Sequence, residues 1–84
     1  MFDVFYSKRA KKFLERIDKI LAKRLVEKIE KIGQRPVITD TKAIVGSDNL
    51  FRIRVGDYRI LYEIDYKQNL IGIIKIDKRS KVYM

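Results

Sequence analysis

The sequence contains no cysteine and no histidine among its 84 residues. The lack of cysteine excludes disulfides, thiolate nucleophiles and cysteine-based zinc sites. The lack of histidine removes the usual general base near neutral pH and the commonest transition-metal ligand. Any acid–base chemistry therefore has to use tyrosine, lysine, arginine or carboxylate side chains, and we expect neither a metal ion nor a cofactor.

Long apolar runs are also missing. No segment approaches the roughly 20 residues that a membrane-spanning helix needs, and the chain starts with Met1-Phe2-Asp3 rather than with a signal peptide. We therefore expect a cytoplasmic protein that does not contact a membrane. A chain of 84 residues can enclose only one modest hydrophobic core, so we expect one domain that spans residues 1–84.

Basic side chains are in large excess over acidic ones. The chain has 20 Lys and Arg against 11 Asp and Glu, a formal net charge of +9. Both halves of the chain share the excess, so it belongs to the folded body rather than to a charged tail. A polyanion such as nucleic acid is the natural counterpart of such a surface. The plain alternative is a solvated, lysine-rich exterior without a specific partner.

The first half of the sequence predicts a strand and two helices. Phe2–Tyr6 is typical of a short strand, and Ser7 is a suitable N-cap for a helix behind it. Residues 18–19 mark a bend, and Gly33 followed by Pro36 ends a second helix. We expect these helices to pack as a hairpin. Their apolar positions at helical spacing are Ala10, Phe13, Leu14 and Ile17, then Leu21, Leu25, Ile29 and Ile32.

The second half predicts a loop, with a short strand near Lys42–Val45, and then a meander. Its three strands are Leu50–Val55, Tyr58–Asp65 and Leu70–Asp77, because each is rich in β-branched and aromatic residues and is bounded by turn residues. The predicted fold is therefore α+β: an N-terminal strand, a two-helix hairpin and an antiparallel three-stranded meander, with the helices packed on one face of the sheet.

Two arginines share one face of the first meander strand. Side chains alternate along a strand, so Arg52 and Arg54 point away from Phe51, Ile53 and Val55. If the apolar set covers the helices, the two guanidinium groups lie on the open side of the sheet, about 7 Å apart. This spacing is close to that of adjacent phosphates on one nucleic-acid strand, which favours phosphate binding over an ordinary charged exterior.

Residues 52–62 read R-I-R-V-G-D-Y-R-I-L-Y, and this segment resembles the central hairpin of the RelE/ParE toxin superfamily, R-x-R-x-G-x-Y-R-x-x-Y. The resemblance extends over nearly the whole chain, including the helix start Ser7-Lys8-Arg9-Ala10. The ending Lys78-Arg79-Ser80-Lys81-Val82-Tyr83 is similar to that of the ribosome-dependent, RNA-cutting branch. The resemblance implies a RelE-like fold and a toxin of a type II toxin–antitoxin system that cuts mRNA and inhibits translation.

The resemblance also implies individual roles. Arg52 and Arg54 match the family's basic pair, and Arg59 matches its transition-state-stabilising arginine. Family members often carry a basic residue just before the loop glycine, where this chain has Val45, and Lys42 is the candidate to supply that contact. The predicted catalytic residues are Arg59, Arg79 and Tyr83, and the predicted RNA-binding residues are Arg52, Arg54, Lys42, Lys78 and Lys81.

These residue types suit cleavage of RNA by its own 2′-hydroxyl. The attack needs a proton acceptor, positive charge around the phosphorane oxygens and an acid for the departing 5′ oxygen. Arginines supply the charge, since they keep their protons under nearly all conditions. Tyr83 is the candidate proton acceptor, a role that nearby cations would favour by stabilising its phenolate. The expected endonuclease is therefore independent of metal ions.

The resemblance implies two macromolecular partners: mRNA on the ribosome, and a cognate RelB-like antitoxin protein with acidic segments. A ParE-like inhibitor of DNA gyrase is an alternative, because it shares the hairpin residues Tyr58, Arg59 and Tyr62; the Arg79 to Tyr83 ending argues against it. A non-catalytic RNA-binding module is a third reading, favoured by Val45 and by the absence of histidine.

The remaining aromatic and acidic residues are expected to have structural rather than functional roles. The carboxylates Glu63, Asp65 and Asp77 lie near strand ends without the spacing of a magnesium site, so we expect surface or turn residues. Five aromatic residues fit apolar stripes or inward strand positions, and we expect them to pack in the core or at its edge. They are Phe5, Phe13, Phe51, Tyr58 and Tyr62.

Overall fold

The computed structural model describes residues 1–38 and 41–78. The elements of this part are β1 (Asp3–Tyr6), α1 (Lys8–Arg16), α2 (Lys19–Gln34), β2 (Thr41–Ala43), β3 (Leu50–Val55), β4 (Tyr58–Asp65) and β5 (Leu70–Lys78). The strands form one mixed sheet in the order β1-β5-β4-β3-β2. Both helices cover one face of it, which confirms the predicted α+β fold.

The first strand lies beside the last. β1 pairs with β5 in parallel, and all other neighbouring strands are antiparallel. A parallel pair requires a crossover connection, and the two helices begin that connection directly after β1. The short strand expected near Lys42–Val45 begins one residue earlier, at Thr41, and forms the far edge of the sheet.

The core lies between the helices and the sheet. Tyr62 is fully buried there, and its hydroxyl donates a hydrogen bond of 2.5 Å to the carbonyl oxygen of Pro36. This contact attaches the segment after α2 to the middle of β4. The buried residues around it are Ala10, Leu25, Ile29 and Ile32 from the helices and Ile53, Ile60, Ile64, Ile71, Ile73 and Ile76 from the strands.

Gly33 does not end α2 as the sequence analysis expected. The helix continues to Gln34, and Gly33 is buried inside it. A Cβ atom at this position would lie 3.1 Å from Cγ2 of Val4, and the Gly33 carbonyl oxygen accepts a hydrogen bond of 2.8 Å from the Phe2 amide. The close approach of β1 favours glycine here, whereas the backbone of Gly33 is helical and not left-handed.

β5 carries a bulge at Ile74. Leu61 pairs with Lys75 whereas Tyr62 pairs with Ile73, so Ile74 is left without an opposite residue on β4. A bulge reverses the alternation of side chains beyond it. The second half of β5 therefore keeps Ile76 in the core, and Lys75 is directed to the face that the helices leave open.

Ser7 connects the bulge to α1. Its hydroxyl oxygen accepts a hydrogen bond of 3.0 Å from the Ala10 amide, as the predicted N-cap should. The same hydroxyl donates a hydrogen bond of 2.6 Å to the carbonyl oxygen of Ile74. One side chain thus caps the helix and satisfies the carbonyl group of the bulged residue.

One of the five aromatic residues expected in the core lies elsewhere. Phe5 is 57% exposed, because it alternates with Val4 and Tyr6, which face the helices, and so points to the open side of β1. Tyr62 is buried as expected. Phe13, Phe51 and Tyr58 are partly buried against the core, which confirms their predicted place at its edge.

Candidate nucleic-acid interface

The sheet face opposite the helices collects basic side chains from four strands. Cross-strand pairing places Arg54 opposite Arg59, and Arg59 opposite Asp77, in one row. A second row contains Lys42, Arg52, Leu61 and Lys75. We call the cations of these rows, which are Lys42, Arg52, Arg54, Arg59 and Lys75, the basic face.

Arg59 and Asp77 form a two-pronged ion pair in the first row. The Arg59 Nε donates to Oδ1 of Asp77 and the Arg59 Nη2 donates to Oδ2, both at 3.1 Å. Like charges directly opposite each other on neighbouring strands are destabilising, and Arg54 lies in that position relative to Arg59. The carboxylate of Asp77 offsets this repulsion, and the paired geometry fixes the plane of the guanidinium group.

The second row borders a shallow depression of about 190 Å³. Its lining combines an apolar part, Ile44 and Leu61, with charged side chains of both rows. The charged lining residues are Arg52, Arg59, Lys75 and Asp77. The depression thus combines three cations with apolar side chains, which suits a phosphate attached to a nucleoside.

Arg54 contributes an unusual donor to the basic face. Its Nε is buried, and within residues 1–38 and 41–78 it makes no hydrogen bond. A buried donor without an acceptor costs free energy.

The structure brings together four of the predicted site residues. Lys42, Arg52, Arg54 and Arg59 share one sheet face, and Lys42 is directly opposite Arg52. Lys78 is exposed at the end of β5, in register with Tyr58, and this position directs it to the other face. Arg79, Lys81 and Tyr83 lie outside the described residues, so their roles stay predictions.

Val45, at the position where a basic residue was expected, is 99% exposed beside Gly46. Gly46 has a φ of 88°, a left-handed conformation that favours glycine. Lys42 lies three residues before Val45, on β2, with its side chain exposed. The lysine is thus on the basic face, where the contact predicted for it can be made.

Sequence reasoning missed Lys75 and gave Asp77 only a surface or turn role. Both belong to the site because the bulge at Ile74 turns them to the open face. The sequence does contain a signal of this bulge: Ile71 and Ile73 occupy odd positions, whereas Ile74 and Ile76 occupy even positions. Such a change of parity within one strand is typical of an inserted residue.

The two tyrosines with shifted pKa values face the helices. Burial raises the pKa of Tyr62 to about 12, and the nearby Tyr66 adds to the shift while a hydrogen bond with Thr41 opposes it. Burial, and then the charge of Glu30, raise the pKa of Tyr6. Both shifts favour the neutral phenol, so neither residue is suited to accept a proton near neutral pH.

Residues 1–38 and 41–78 contain neither a cluster of acidic side chains that could hold a metal ion nor a helix that could cross a membrane. No group of three or more acidic side chains comes together there in a way that could hold a metal ion. Neither helix of this region has the length and apolar character that crossing a membrane requires.

Comparison with known proteins places the chain in a family. Residues 4–83 match the family model described as the ParE toxin of the type II toxin–antitoxin system parDE. A curated relative, the putative toxin RelE1 of Methanocaldococcus jannaschii, is 32% identical over 98% of this chain and 94% of its own length. The chain belongs to the RelE/ParE family of type II toxins.

Solved structures agree with this assignment. RelE in the archaeal RelE–RelB complex from Pyrococcus horikoshii has a TM-score of 0.84 at 28% identity, over 96% of this chain and 98% of that one. The isolated RelE toxin of E. coli has a TM-score of 0.83 at 21% identity, over 99% and 92% of the two chains; this likeness shows the common fold. The predicted membership, with its RelE-like branch, is confirmed: the chain is a RelE-like toxin.

Proposed function

We propose that this RelE-like toxin binds mRNA on the ribosome through its basic face and cleaves it. The observation that carries the proposal is the pair of rows in which β2, β3, β4 and β5 direct five cations to one side of the sheet. The depression beside Arg52 adds to it, because its combination of cations and apolar side chains suits the phosphate and sugar of a nucleotide.

The proposed reaction is attack of the 2′-hydroxyl on the adjacent phosphorus. It forms a bond from the 2′ oxygen to phosphorus, breaks the bond to the 5′ oxygen, and leaves a 2′,3′-cyclic phosphate and a 5′-hydroxyl. Arg59 stabilises the charge that develops on the phosphorane oxygens, and Arg52 and Arg54 hold flanking phosphates. Tyr83 and Arg79 are proposed for proton transfer and for charge near the leaving oxygen.

This route needs no metal ion. The chain contains neither histidine nor cysteine, and the described carboxylates do not cluster. Cations that are part of the chain can themselves neutralise the developing charge. The substrate must then be RNA, because DNA lacks the attacking hydroxyl.

We also propose an antitoxin protein as a partner. RelE is found together with RelB in the complexes from Pyrococcus horikoshii and Methanococcus jannaschii, both 28% identical to this chain. A partner with acidic segments would complement the net charge of +9. By covering the basic face, such a partner would keep the toxin from RNA.

Inhibition of DNA gyrase is the second candidate function, since the matching family model is that of ParE toxins. Two findings favour RNA. The relative with 32% identity is a putative RelE toxin, and the archaeal structure with 28% identity is a RelE–RelB complex. Arg52 and Arg54 lie two residues apart on β3, which corresponds to about 7 Å along the strand and is close to the spacing of adjacent phosphates on one nucleic-acid strand.

The salt dependence of RNA binding tests the proposed interface. Affinity for RNA falls as salt rises, so the slope of log affinity against log salt is negative. Replacing both Arg52 and Arg54 by alanine should make this slope less negative by about 1.4, since each phosphate contact on a single strand contributes about 0.7. The matched control is Arg9→Ala with Arg16→Ala, which removes two exposed arginines from α1 and should change the slope far less. Equal slopes for the two double variants would remove this face from the binding site.

A further inference from the structure

Asp77 is a carboxylate in the same row as Arg54 and Arg59, and its contacts are specific. Its two oxygens accept hydrogen bonds from Nε and Nη2 of Arg59, both at 3.1 Å, and the Lys75 Nζ lies 3.5 Å from Oδ2. The side chains of Arg59 and Asp77 are 17% and 31% exposed. The pair is thus partly shielded from water, and its geometry is better defined than that of an exposed ion pair.

For RNA binding alone, this carboxylate is unfavourable. It cancels positive charge in the row formed with Arg54 and Arg59, and it borders the same depression as Arg52, where it would repel a phosphate. A neutral or basic side chain at this position would bind a polyanion more tightly.

For the orientation of Arg59, the carboxylate is favourable. An arginine side chain loses much rotational freedom when it is held in one conformation, and Arg54 directly opposite pushes the Arg59 guanidinium away. Two parallel hydrogen bonds to Asp77 hold the guanidinium plane before any substrate arrives. A charged group that is already oriented stabilises a transition state more than one that must reorganise during the reaction.

We propose that Asp77 is a positioning residue: it holds Arg59 in the orientation needed at the reacting phosphate and, in doing so, weakens RNA binding. The inference rests on the proposed function, RNA cleavage at the basic face. It predicts that loss of the Asp77 carboxylate raises the affinity for RNA and lowers the rate of cleavage.

The variant Asp77→Asn tests this because it keeps the shape of the side chain and removes its charge. Affinity is measured with a short single-stranded RNA whose 2′-O-methyl groups prevent cleavage, and the rate is measured in a single turnover on ribosome-bound mRNA at saturating toxin. We expect about threefold tighter binding from the loss of one screened like charge. The cleavage rate at saturation should fall about tenfold or more.

Two further variants separate positioning from other effects. Asp57→Asn removes the same charge from the exposed β3–β4 turn and should leave the rate unchanged. Asp77→Glu keeps the charge and should restore part of the rate. Circular dichroism establishes that each variant is folded.

Each outcome decides the question. Tighter binding with slower cleavage supports the positioning role. Unchanged cleavage by Asp77→Asn, or parallel losses of affinity, rate and thermal stability, would overturn it while leaving the proposed function in place. A wild-type toxin that neither binds the RNA nor cleaves mRNA on the ribosome would overturn the proposed function, and the inference with it.

Discussion

Tyr62 shows at the scale of one residue how burial and a hydrogen bond combine. Its ring is enclosed in the core, and its hydroxyl donates to the Pro36 carbonyl oxygen at 2.5 Å. Burial disfavours the phenolate, which raises the pKa to about 12 in the folded protein. The stability gained from this neutral phenol is fully present below the unfolded-state pKa of about 10 and is lost as the pH rises through the folded-state value.

Replacing Tyr62 by phenylalanine should therefore cost about 1 kcal/mol at pH 7, because the Pro36 carbonyl loses its partner. The difference in unfolding free energy between wild type and variant should shrink as the pH rises from about 10 toward 12. Urea denaturation at several pH values measures it. Tyr66→Phe, which changes a 60% exposed ring, serves as the control for the loss at pH 7. A wild-type advantage that stays constant over this range would contradict the account.

The strand β5 and the helix α1 depend on each other at the scale of elements. The bulge at Ile74 directs Lys75 to the basic face, and the Ser7 hydroxyl that caps α1 also satisfies the Ile74 carbonyl at 2.6 Å. Without that donor, the carbonyl group of the bulged residue would lose this hydrogen bond. The position of two site residues, Lys75 and Asp77, thus relies on a contact between distant parts of the sequence.

Ser7→Ala should destabilise the protein by about 2 kcal/mol, since it removes a helix cap and a partly buried hydrogen bond of about 1 kcal/mol each. Asp18 supplies the comparison, because its side chain caps α2 through the Ile20 and Leu21 amides and is exposed. Asp18→Ala should cost only about 1 kcal/mol. Denaturant unfolding of both variants gives the two values, and equal costs would show that the contact with the bulge contributes nothing.

Local patterns in the sequence predicted most of the elements. Helical spacing in residues 10–32 and the alternation around Arg52 and Arg54 correctly assigned α1, α2 and β3. The prediction that Gly33 ends α2 was wrong, because the glycine accommodates the close approach of Val4 from another element. The prediction that Phe5 packs in the core or at its edge was wrong for a related reason: hydrophobicity alone does not say which face of an edge strand is covered.

The site was predictable only in part. Strand alternation and the resemblance both pointed to Arg52 and Arg54, whereas the resemblance alone pointed to Arg59 and Lys42. The contribution of Asp77 depends on a bulge and on pairing between β4 and β5, and such cross-strand partners are not visible in one strand's pattern. The parity change at Ile74 is the signal that would have revealed them.

The distribution of charge is the decisive feature at the scale of the whole molecule. The helices cover one face of the sheet with the core, and the other face presents the basic rows to any partner. In the proposed function, the net charge of +9 accelerates encounter with RNA by long-range attraction, whereas cleavage at one phosphate depends on the local geometry around Arg59.

The most direct measurement of the central claim is to map mRNA breaks and their chemical ends after incubating the toxin with translating ribosomes. We expect breaks within the codon at the decoding site, with a 5′-hydroxyl on one side and a 2′,3′-cyclic phosphate or 3′-phosphate on the other. Arg59→Ala should slow this cleavage more than it weakens binding, because charge on the phosphate is greatest in the transition state. Intact mRNA together with inhibited supercoiling by gyrase, or breaks with 5′-phosphate ends, would contradict the account.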